Sequence, residues 1–280
     1  MDATPLTVSA NDLSFGALSW GSPGDPLALL VHGYPDTAWT WRHLGPRLAA
    51  RGWHAVAPFT RGYGPTDLAA SYRAADLAQD VLALHAALGG DDRAVLVGHD
   101  WGAVTAYAVT AVAPDRFRHV VTLAVPPVQA LLPPLPPLLL ARQLRLSWYF
   151  AFNQLPGAER TLGTVVPRLW RDWSPGYDGT DDVARVLASL DTLPRRRAAL
   201  QYYRDNLGRG VAEGFRTTPG APFLYLHGDR DGCMQADLGE RHADRFPPGS
   251  RFVRVPDVGH FLHLEDPERV GALVEEWVER

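Results

Sequence analysis

Residues 95–103 read VLVGHDWGA, and this stretch decides the fold of the chain. An apolar run, typical of a buried strand, enters a turn of the form small–x–acid–x–small, and a helical pattern follows. In such a sharp turn, any bulk at Gly98 or Gly102 would collide with the neighbouring strand and helix. The pattern predicts a strained turn that presents Asp100 at the top of a sheet, where the dipole of the next helix stabilises a carboxylate. The simpler alternative is that Asp100 only caps that helix.

Short apolar runs alternate with helical patterns along most of the chain, which is typical of a parallel sheet with crossover helices. The runs that read as strands are Leu27–Val31, Ala94–Val97, Val120–Ala124, Phe223–Leu226 and Phe252–Val255. Apart from Thr122 and Arg254 they are apolar, as expected of strands buried on both faces of a covered sheet. Leu13–Trp20 precedes a turn-rich segment and indicates an antiparallel hairpin at the sheet edge. The chain is therefore predicted to have an α/β fold.

Helical patterns fill the spaces between these runs, and one of them forms a long insertion. A stripe of apolar residues stops at Gly89-Gly90, and Asp266-Pro267 is a start signal for the last helix. Residues 126–218 are rich in Pro, Arg, Trp and Tyr, with helical periodicity and no strand-like run. We interpret residues 126–218 as a helical lid, or cap, inserted into a core formed by residues 1–125 and 219–280.

Composition excludes several classes of function. The net charge of −4 leaves no basic surface field, so nucleic acid is not an expected partner. The single cysteine, Cys233, cannot form an internal disulfide, which fits a reducing cytoplasm and excludes a cysteine metal cluster. Met1–Ala10 does not read as a signal peptide, and Leu131–Leu146 is too short and too interrupted by prolines for a membrane span. We expect a cytoplasmic protein without stable membrane insertion, either a monomer or a homodimer.

A second turn points to the same place as the Asp100 turn. The run Leu27–Val31 leads into His32-Gly33-Tyr34-Pro35, a turn that can aim the backbone N–H of Tyr34 at Asp100. Together with the backbone N–H of Trp101, it would form an oxyanion hole. A proline-stabilised loop with no such role is the alternative interpretation.

Candidates for an acid and a base follow later in the chain. His227-Gly228-Asp229-Arg230-Asp231 comes at the end of a strand, and both of its carboxylates are candidates for orienting a histidine. His260 follows a glycine in the loop before the last helix, and its place in chain order fits a general base after a nucleophile and an acid. His263 is its rival. The two histidines offer no apparent third ligand, so we expect no metal.

At this point the residues resemble the α/β-hydrolase superfamily, and within it the epoxide hydrolase and haloalkane dehalogenase branch. The shared motifs are His-Gly-x-Pro at 32–35, Arg-Gly-Tyr-Gly at 61–64, Gly-His-Asp-Trp-Gly at 98–102 and Gly-His at 259–260. They lie on both sides of the lid, so the resemblance covers about two-thirds of the chain. It implies a mostly parallel eight-stranded sheet flanked by helices, and it favours Asp231 over Asp229 as the acid of a Gly-x-x-Asp turn.

An aspartate nucleophile attacks an sp³ carbon and forms an alkyl-enzyme ester, which water then hydrolyses. His260, oriented by Asp231, would activate this water. The resemblance to epoxide hydrolases further implies two lid tyrosines that protonate the epoxide oxygen. On that match they are Tyr149 and Tyr203, with Tyr202 as the second acid if the register is one residue off. No cofactor is implied, and the expected partners are a small apolar epoxide and water, since aromatic and leucine residues dominate the lid.

Two other functions stay open. A haloalkane dehalogenase would use the same triad and would bind halide with Trp101 and a second donor. In one dehalogenase group that second donor is an asparagine, whose place Tyr34 occupies here. One of the lid tryptophans would therefore have to replace it, and the candidates are Trp148, Trp170 and Trp173. A non-catalytic ligand receptor on this fold would usually lack a triad member, and all three are present. The tyrosines favour epoxide hydrolysis.

Overall fold

A computed structural model, which describes residues 1–132, 134–207 and 218–280, places eight strands in one sheet. In chain order they are β1 Thr4–Ala10, β2 Leu13–Trp20, β3 Leu27–Val31, β4 His54–Pro58, β5 Val95–His99, β6 His119–Leu123, β7 Leu224–Gly228 and β8 Arg251–Val255. Their order across the sheet is β1-β2-β4-β3-β5-β6-β7-β8. β1 and β2 are antiparallel to their neighbours, and every pairing from β4 to β8 is parallel. The prediction of a mostly parallel eight-stranded α/β sheet is therefore confirmed.

The central strands are buried along their whole length, as the apolar runs predicted. The predicted strands agree with the observed ones to within two residues at each end, and the edge hairpin of β1 and β2 is present. The edge strand β8 was expected to be buried on both faces, but only Val255 in it is fully buried. The sequence analysis gave no range for β1, the hairpin partner of β2, and it missed β4 altogether. Its five residues are fully buried, but they include two alanines and a proline, which carry little strand propensity.

Helices cover both faces of the sheet. The helices outside the insertion are α1 Leu44–Ala50, α2 Ala74–Ala87, α3 Trp101–Val112, α9 Ala236–His242, α10 Leu262–Glu265 and α11 Pro267–Val278. Side chains of α2 and α3 pack into one apolar core, and those of α1 and α11 pack into the other. The predicted helix signals are confirmed, because α2 ends just before Gly89 at φ +71° and Asp266 caps α11 by accepting from the N–H of Arg269.

In its described residues, the segment between β6 and β7 contains five α-helices. They are α4 Pro137–Leu146, α5 Trp148–Gln154, α6 Leu162–Trp173, α7 Thr180–Ser189 and α8 Leu193–Leu207. No strand occurs in the described part of this segment, residues 126–132, 134–207 and 218. α5 packs on α8, and both lie against the core. The boundary between lid and core at residues 125–126 and 218–219 stays a prediction.

Within the described ranges, no helix combines the length and the apolar character that are needed to cross a bilayer.

Candidate active site

Asp100 occupies the turn between β5 and α3 in a strained backbone conformation. Its φ is +54° and its ψ is −115°, a region that residues with a side chain rarely adopt. A Cβ on Gly98 would lie 2.2 Å from the backbone oxygen of Gly102, and a Cβ on Gly102 would lie 2.0 Å from the backbone oxygen of Val31. Both flanking glycines are therefore required for the turn to fit between strand and helix, as the sequence pattern predicted.

The turn after β3 closes over this carboxylate. The backbone N–H of Tyr34 donates to Oδ1 of Asp100 at 2.7 Å. A Cβ on Gly33 would lie 2.4 Å from Oδ1 of Asp100 and 2.5 Å from the backbone nitrogen of Trp101, so only glycine permits this approach. The structure thus places both backbone nitrogens that were predicted to form an oxyanion hole beside the Asp100 carboxylate.

His260 stands between two carboxylates in the interior of the protein. Its Nδ1 lies 2.9 Å from Oδ2 of Asp231, and its Nε2 lies 3.6 Å from Oδ2 of Asp100. Burial alone would lower the pKa of His260, but the negative charge of Asp231 opposes it, and the pKa of His260 is raised well above its ordinary value. The contact with Asp231 leaves Nε2 as the nitrogen that faces the Asp100 carboxylate.

Asp231 is held by several donors at the turn after β7. Its Oδ1 accepts from the backbone N–H groups of Cys233 at 2.6 Å and Met234 at 2.9 Å. The Nε2 of His227 lies 3.2 Å from its Oδ2. Burial raises the pKa of Asp231, but His260 and His227 outweigh that effect and lower the pKa below its ordinary value. The carboxylate therefore stays ionised, and it can stabilise a positive charge on His260.

The two rival residues lie elsewhere. Asp229 is exposed and accepts from the backbone N–H of Asp257 at 2.8 Å, so it shapes the turn. His263 is buried, with its Nε2 2.5 Å from Oγ1 of Thr40 and its ring stacked on Trp41. Neither touches Asp100.

His99 and Trp173, which the sequence analysis did not connect with His260, fix its position. The Nε2–H of His99 donates to the backbone oxygen of His260 at 3.0 Å. The backbone N–H of His260 donates to the backbone oxygen of Trp173 at 3.0 Å, and the Trp173 ring packs edge-on against the imidazole. His99 is part of the Asp100 motif, but nothing in the sequence pairs it with residue 260. The inserted helix α6 therefore supports the core loop that carries His260.

The phenol groups of Tyr149 and Tyr203 are buried close to Asp100. Their rings lie 5.7 Å apart at 90°, and Tyr203 also packs on Tyr34 at 5.0 Å. The ring of Tyr203 also packs edge-on against the ring of Trp101, at 5.3 Å and 90°. Burial raises the pKa of both phenols well above the ordinary value, so both are protonated at neutral pH.

Tyr202, the alternative to Tyr203, faces another direction. Its hydroxyl donates to the backbone oxygen of Arg61 at 2.9 Å, and its ring contacts Tyr63 and Tyr72. It packs helix α8 on the core and is absent from the cavity beside Asp100.

A small cavity between the inserted helices and the core contains this arrangement. Its lining residues are Asp100, Trp101, Val104, Val125, Leu131, Tyr149, Phe150, Tyr203 and Met234. One carboxylate and two phenols are the groups able to ionise on a wall that is otherwise aromatic, aliphatic or thioether. His260 and Asp231 lie behind Asp100, outside this wall.

Comparisons with known proteins agree with this architecture. The model of the alpha/beta hydrolase fold family matches residues 26–267. Epoxide hydrolase 2 of Siraitia grosvenorii is 38% identical, over 98% of this chain and 98% of its own length. Epoxide hydrolase A of Mycobacterium tuberculosis is 28% identical, over 98% of this chain and 97% of its own length.

Solved structures give the same result. An epoxide hydrolase from Vigna radiata superposes with a TM-score of 0.81 at 26% identity, covering 99% of this chain and 98% of that chain. Epoxide hydrolase A from Mycobacterium thermoresistibile superposes with a TM-score of 0.78 at 25% identity, with coverage of 99% and 98%. The chain therefore belongs to the α/β-hydrolase fold family, and within it to the branch of hydrolases that contains these epoxide hydrolases.

Proposed function

We propose that the protein is an epoxide hydrolase that converts an apolar epoxide to a vicinal diol. The observation that carries the proposal is the position of the phenols of Tyr149 and Tyr203 on the same cavity wall as the Asp100 carboxylate. A carboxylate opposite two protonated phenols is suited to open a ring whose oxygen needs a proton as the C–O bond breaks.

In the first half-reaction, an oxygen of Asp100 attacks one epoxide carbon, and the C–O bond of that carbon breaks. The product is an alkyl ester on Asp100, and the ring oxygen leaves as an alkoxide that takes a proton from a phenol. Because burial keeps both phenols protonated at neutral pH, a proton is available at this step. Hydrogen bonds from the second phenol stabilise the same oxygen.

In the second half-reaction, water attacks the ester carbonyl of Asp100. His260 takes a proton from this water through Nε2, and the adjacent Asp231 stabilises the resulting imidazolium. The backbone N–H groups of Tyr34 and Trp101 donate to the oxyanion that forms. Its collapse breaks the bond to the alkyl oxygen, which takes the remaining proton of the water, so the diol is released and the carboxylate of Asp100 is restored.

A haloalkane dehalogenase is less well supported. The lid tryptophans are the candidates for a second halide donor, but Nε1 of Trp170 donates to the backbone oxygen of Pro35 at 2.8 Å. Neither Trp148 nor Trp173 is among the cavity-lining residues, and Trp148 packs on Phe152 and Arg168. A non-catalytic receptor is disfavoured, because His260 lies 2.9 Å from Asp231 and 3.6 Å from Asp100, an arrangement that ligand binding alone would not require.

We also propose that the protein is cytoplasmic and acts as a monomer or a homodimer. The single buried cysteine fits a reducing cytoplasm. The activity proposed for this site needs no second chain, because a single chain supplies nucleophile, base, acid and both phenols. A monomer or a homodimer would serve equally well.

The test is an assay of the purified protein against styrene oxide, a longer alkyl epoxide and 1-bromobutane, with diol and bromide measured together. Diol without bromide, lost in the Asp100→Ala variant, is the expected result. Bromide without diol would overturn the proposal in favour of dehalogenation. Binding of the epoxides without any product, unchanged in the Asp100→Ala variant, would favour a receptor.

A further inference from the structure

The one cysteine of the chain, Cys233, lies close to Tyr149, a proposed proton donor, and to His260, the proposed base. Cys233 follows β7, is fully buried, and uses its backbone N–H to hold Asp231. Its Sγ lies 3.1 Å from the hydroxyl of Tyr149. The cavity wall beside Asp100 includes Met234 but not Cys233, so the thiol lies behind Tyr149 rather than in front of a substrate.

The other side of the thiol faces His260. Sγ, a ring nitrogen of His260 and a carboxylate oxygen of Asp100 all lie within 4.8 Å of one another. Nε2 of His260 is buried and makes no hydrogen bond of ordinary length, since its distance to Asp100 is 3.6 Å. A buried, unsatisfied nitrogen therefore faces the same small space as the thiol.

The proposed reaction leaves Tyr149 without its phenolic proton and leaves His260 with one proton too many. Ring opening takes a proton from Tyr149 and leaves a phenolate, and ester hydrolysis places a proton on His260. Both side chains are buried, at 2% exposure for Tyr149 and 0% for His260. A new cycle requires the extra proton on His260 to reach Tyr149, and direct exchange of either group with bulk water is restricted.

Resting on the proposed function, we infer that Cys233 is the relay that returns this proton. The Nε2–H of the His260 imidazolium transfers its proton to Sγ, while the S–H proton passes to the phenolate oxygen of Tyr149. One proton enters the sulfur and one leaves, so the thiol is regenerated, and both Tyr149 and His260 become neutral. No oxidant, reductant or further reactant takes part.

The environment of Cys233 suits a relay better than a nucleophile. Burial raises the pKa of the thiol to about 11, so it is protonated at neutral pH and has a proton to pass on. Its place behind Tyr149 keeps it away from the epoxide carbon, and this protects it from alkylation. The short path from sulfur to phenol, 3.1 Å, is within the range of a hydrogen bond to sulfur.

The experiment compares Cys233→Val and Cys233→Ala, which remove the S–H group, with Cys233→Ser, which keeps a hydroxyl at the same position. Ring opening is measured in a single turnover as ester formed on Asp100, and kcat is measured at steady state. We expect both apolar variants to open the ring at the wild-type rate and to lose roughly tenfold in kcat. Serine should restore most of kcat. Small diffusible buffers such as imidazole should raise kcat of the alanine variant but not that of the wild type.

Other outcomes would overturn the relay. A wild-type kcat in both apolar variants would show that the proton returns by another path. Slower ring opening in all three variants would show that Cys233 only positions Tyr149. Both results would be compatible with epoxide hydrolysis and would contradict only the relay. A wild-type protein that opens no epoxide would refute the proposed function itself.

Discussion

Nδ1 of His260 and Oδ2 of Asp231 lie 2.9 Å apart, with both side chains fully excluded from solvent. This contact sets the direction of the imidazole, because it leaves Nε2 as the nitrogen that faces Asp100. It also determines the charge that the ring can carry, since a buried carboxylate raises the pKa of an adjacent imidazole. The first prediction follows from this pair.

Asp231→Asn should lower the pKa of His260, because burial then acts without the opposing negative charge. It should also reduce kcat by about 10²–10⁴-fold, since the ring loses its orientation and the stabilisation of its protonated form. In the wild type, ester hydrolysis should accelerate as pH rises through the raised pKa of His260, because only the neutral ring accepts a proton. NMR titration of the labelled imidazole and steady-state assays check both effects.

The control for that variant is Asp229→Asn, which changes an exposed aspartate of the same turn. It should leave the pKa of His260 and kcat close to their wild-type values. Equal losses in the two variants would contradict the assignment of Asp231 as the partner of His260.

His260→Gln should permit ring opening and block the hydrolysis of the ester. Asp100 and both phenols remain in place, whereas the water loses its base. Mass spectrometry should therefore show an adduct equal to the whole epoxide on the peptide that contains Asp100. The double variant Asp100→Ala/His260→Gln should carry no adduct. Normal turnover by His260→Gln would point to a different base.

Tyr203→Phe and Tyr202→Phe should have different effects, although the two residues are adjacent on α8. Loss of the Tyr203 hydroxyl should slow ring opening by about 10²-fold or more, and combining it with Tyr149→Phe should reduce the rate further. Loss of the Tyr202 hydroxyl removes a hydrogen bond to Arg61 and should cost about 1 kcal/mol of stability, with ring opening unchanged. Rapid-quench kinetics and urea unfolding separate the two effects. The reverse pattern would move the second acid to Tyr202.

Gly102→Ala should prevent the active conformation of the Asp100 turn. The added Cβ would lie 2.0 Å from the backbone oxygen of Val31, and a backbone atom in a central strand cannot move aside cheaply. We expect a loss of several kcal/mol of stability, on the order of 3, together with loss of activity. Gly163→Ala is the matched control, since its Cβ would meet nothing within 4 Å in helix α6 and should keep or raise Tm. A stable, active Gly102→Ala variant would contradict the steric account of the turn.

Local sterics explain why the Asp100 turn was predictable. The two flanking glycines, the apolar run before them and the helical pattern after them are all contained in nine residues, and a Cβ on Gly98 would already collide with the backbone of Gly102 within the same turn. The continuous apolar runs similarly predicted most of the sheet, because burial on both faces imposes the same requirement on every residue of a strand. β4 was missed since its burial comes from neighbouring strands rather than from its own composition.

The sequence pattern could not show which of the two adjacent tyrosines, Tyr202 or Tyr203, faces Asp100. Tyr202 and Tyr203 are both fully buried, and only the way α8 lies on the core directs the Tyr202 hydroxyl to Arg61 and places Tyr203 on the cavity wall beside Asp100. The same holds for Cys233 and Tyr149, which are 84 residues apart in the chain and 3.1 Å apart in space.

By itself, the sequence therefore determined the fold and the Asp100 turn, because these depend on short-range sterics and on the burial pattern of single strands. The tertiary structure alone decided which of Tyr202 and Tyr203 lines the cavity beside Asp100, and that the Cys233 thiol lies 3.1 Å from the Tyr149 hydroxyl. Those relationships depend on the packing of the inserted helices against the core, and no local pattern in the chain specifies that packing.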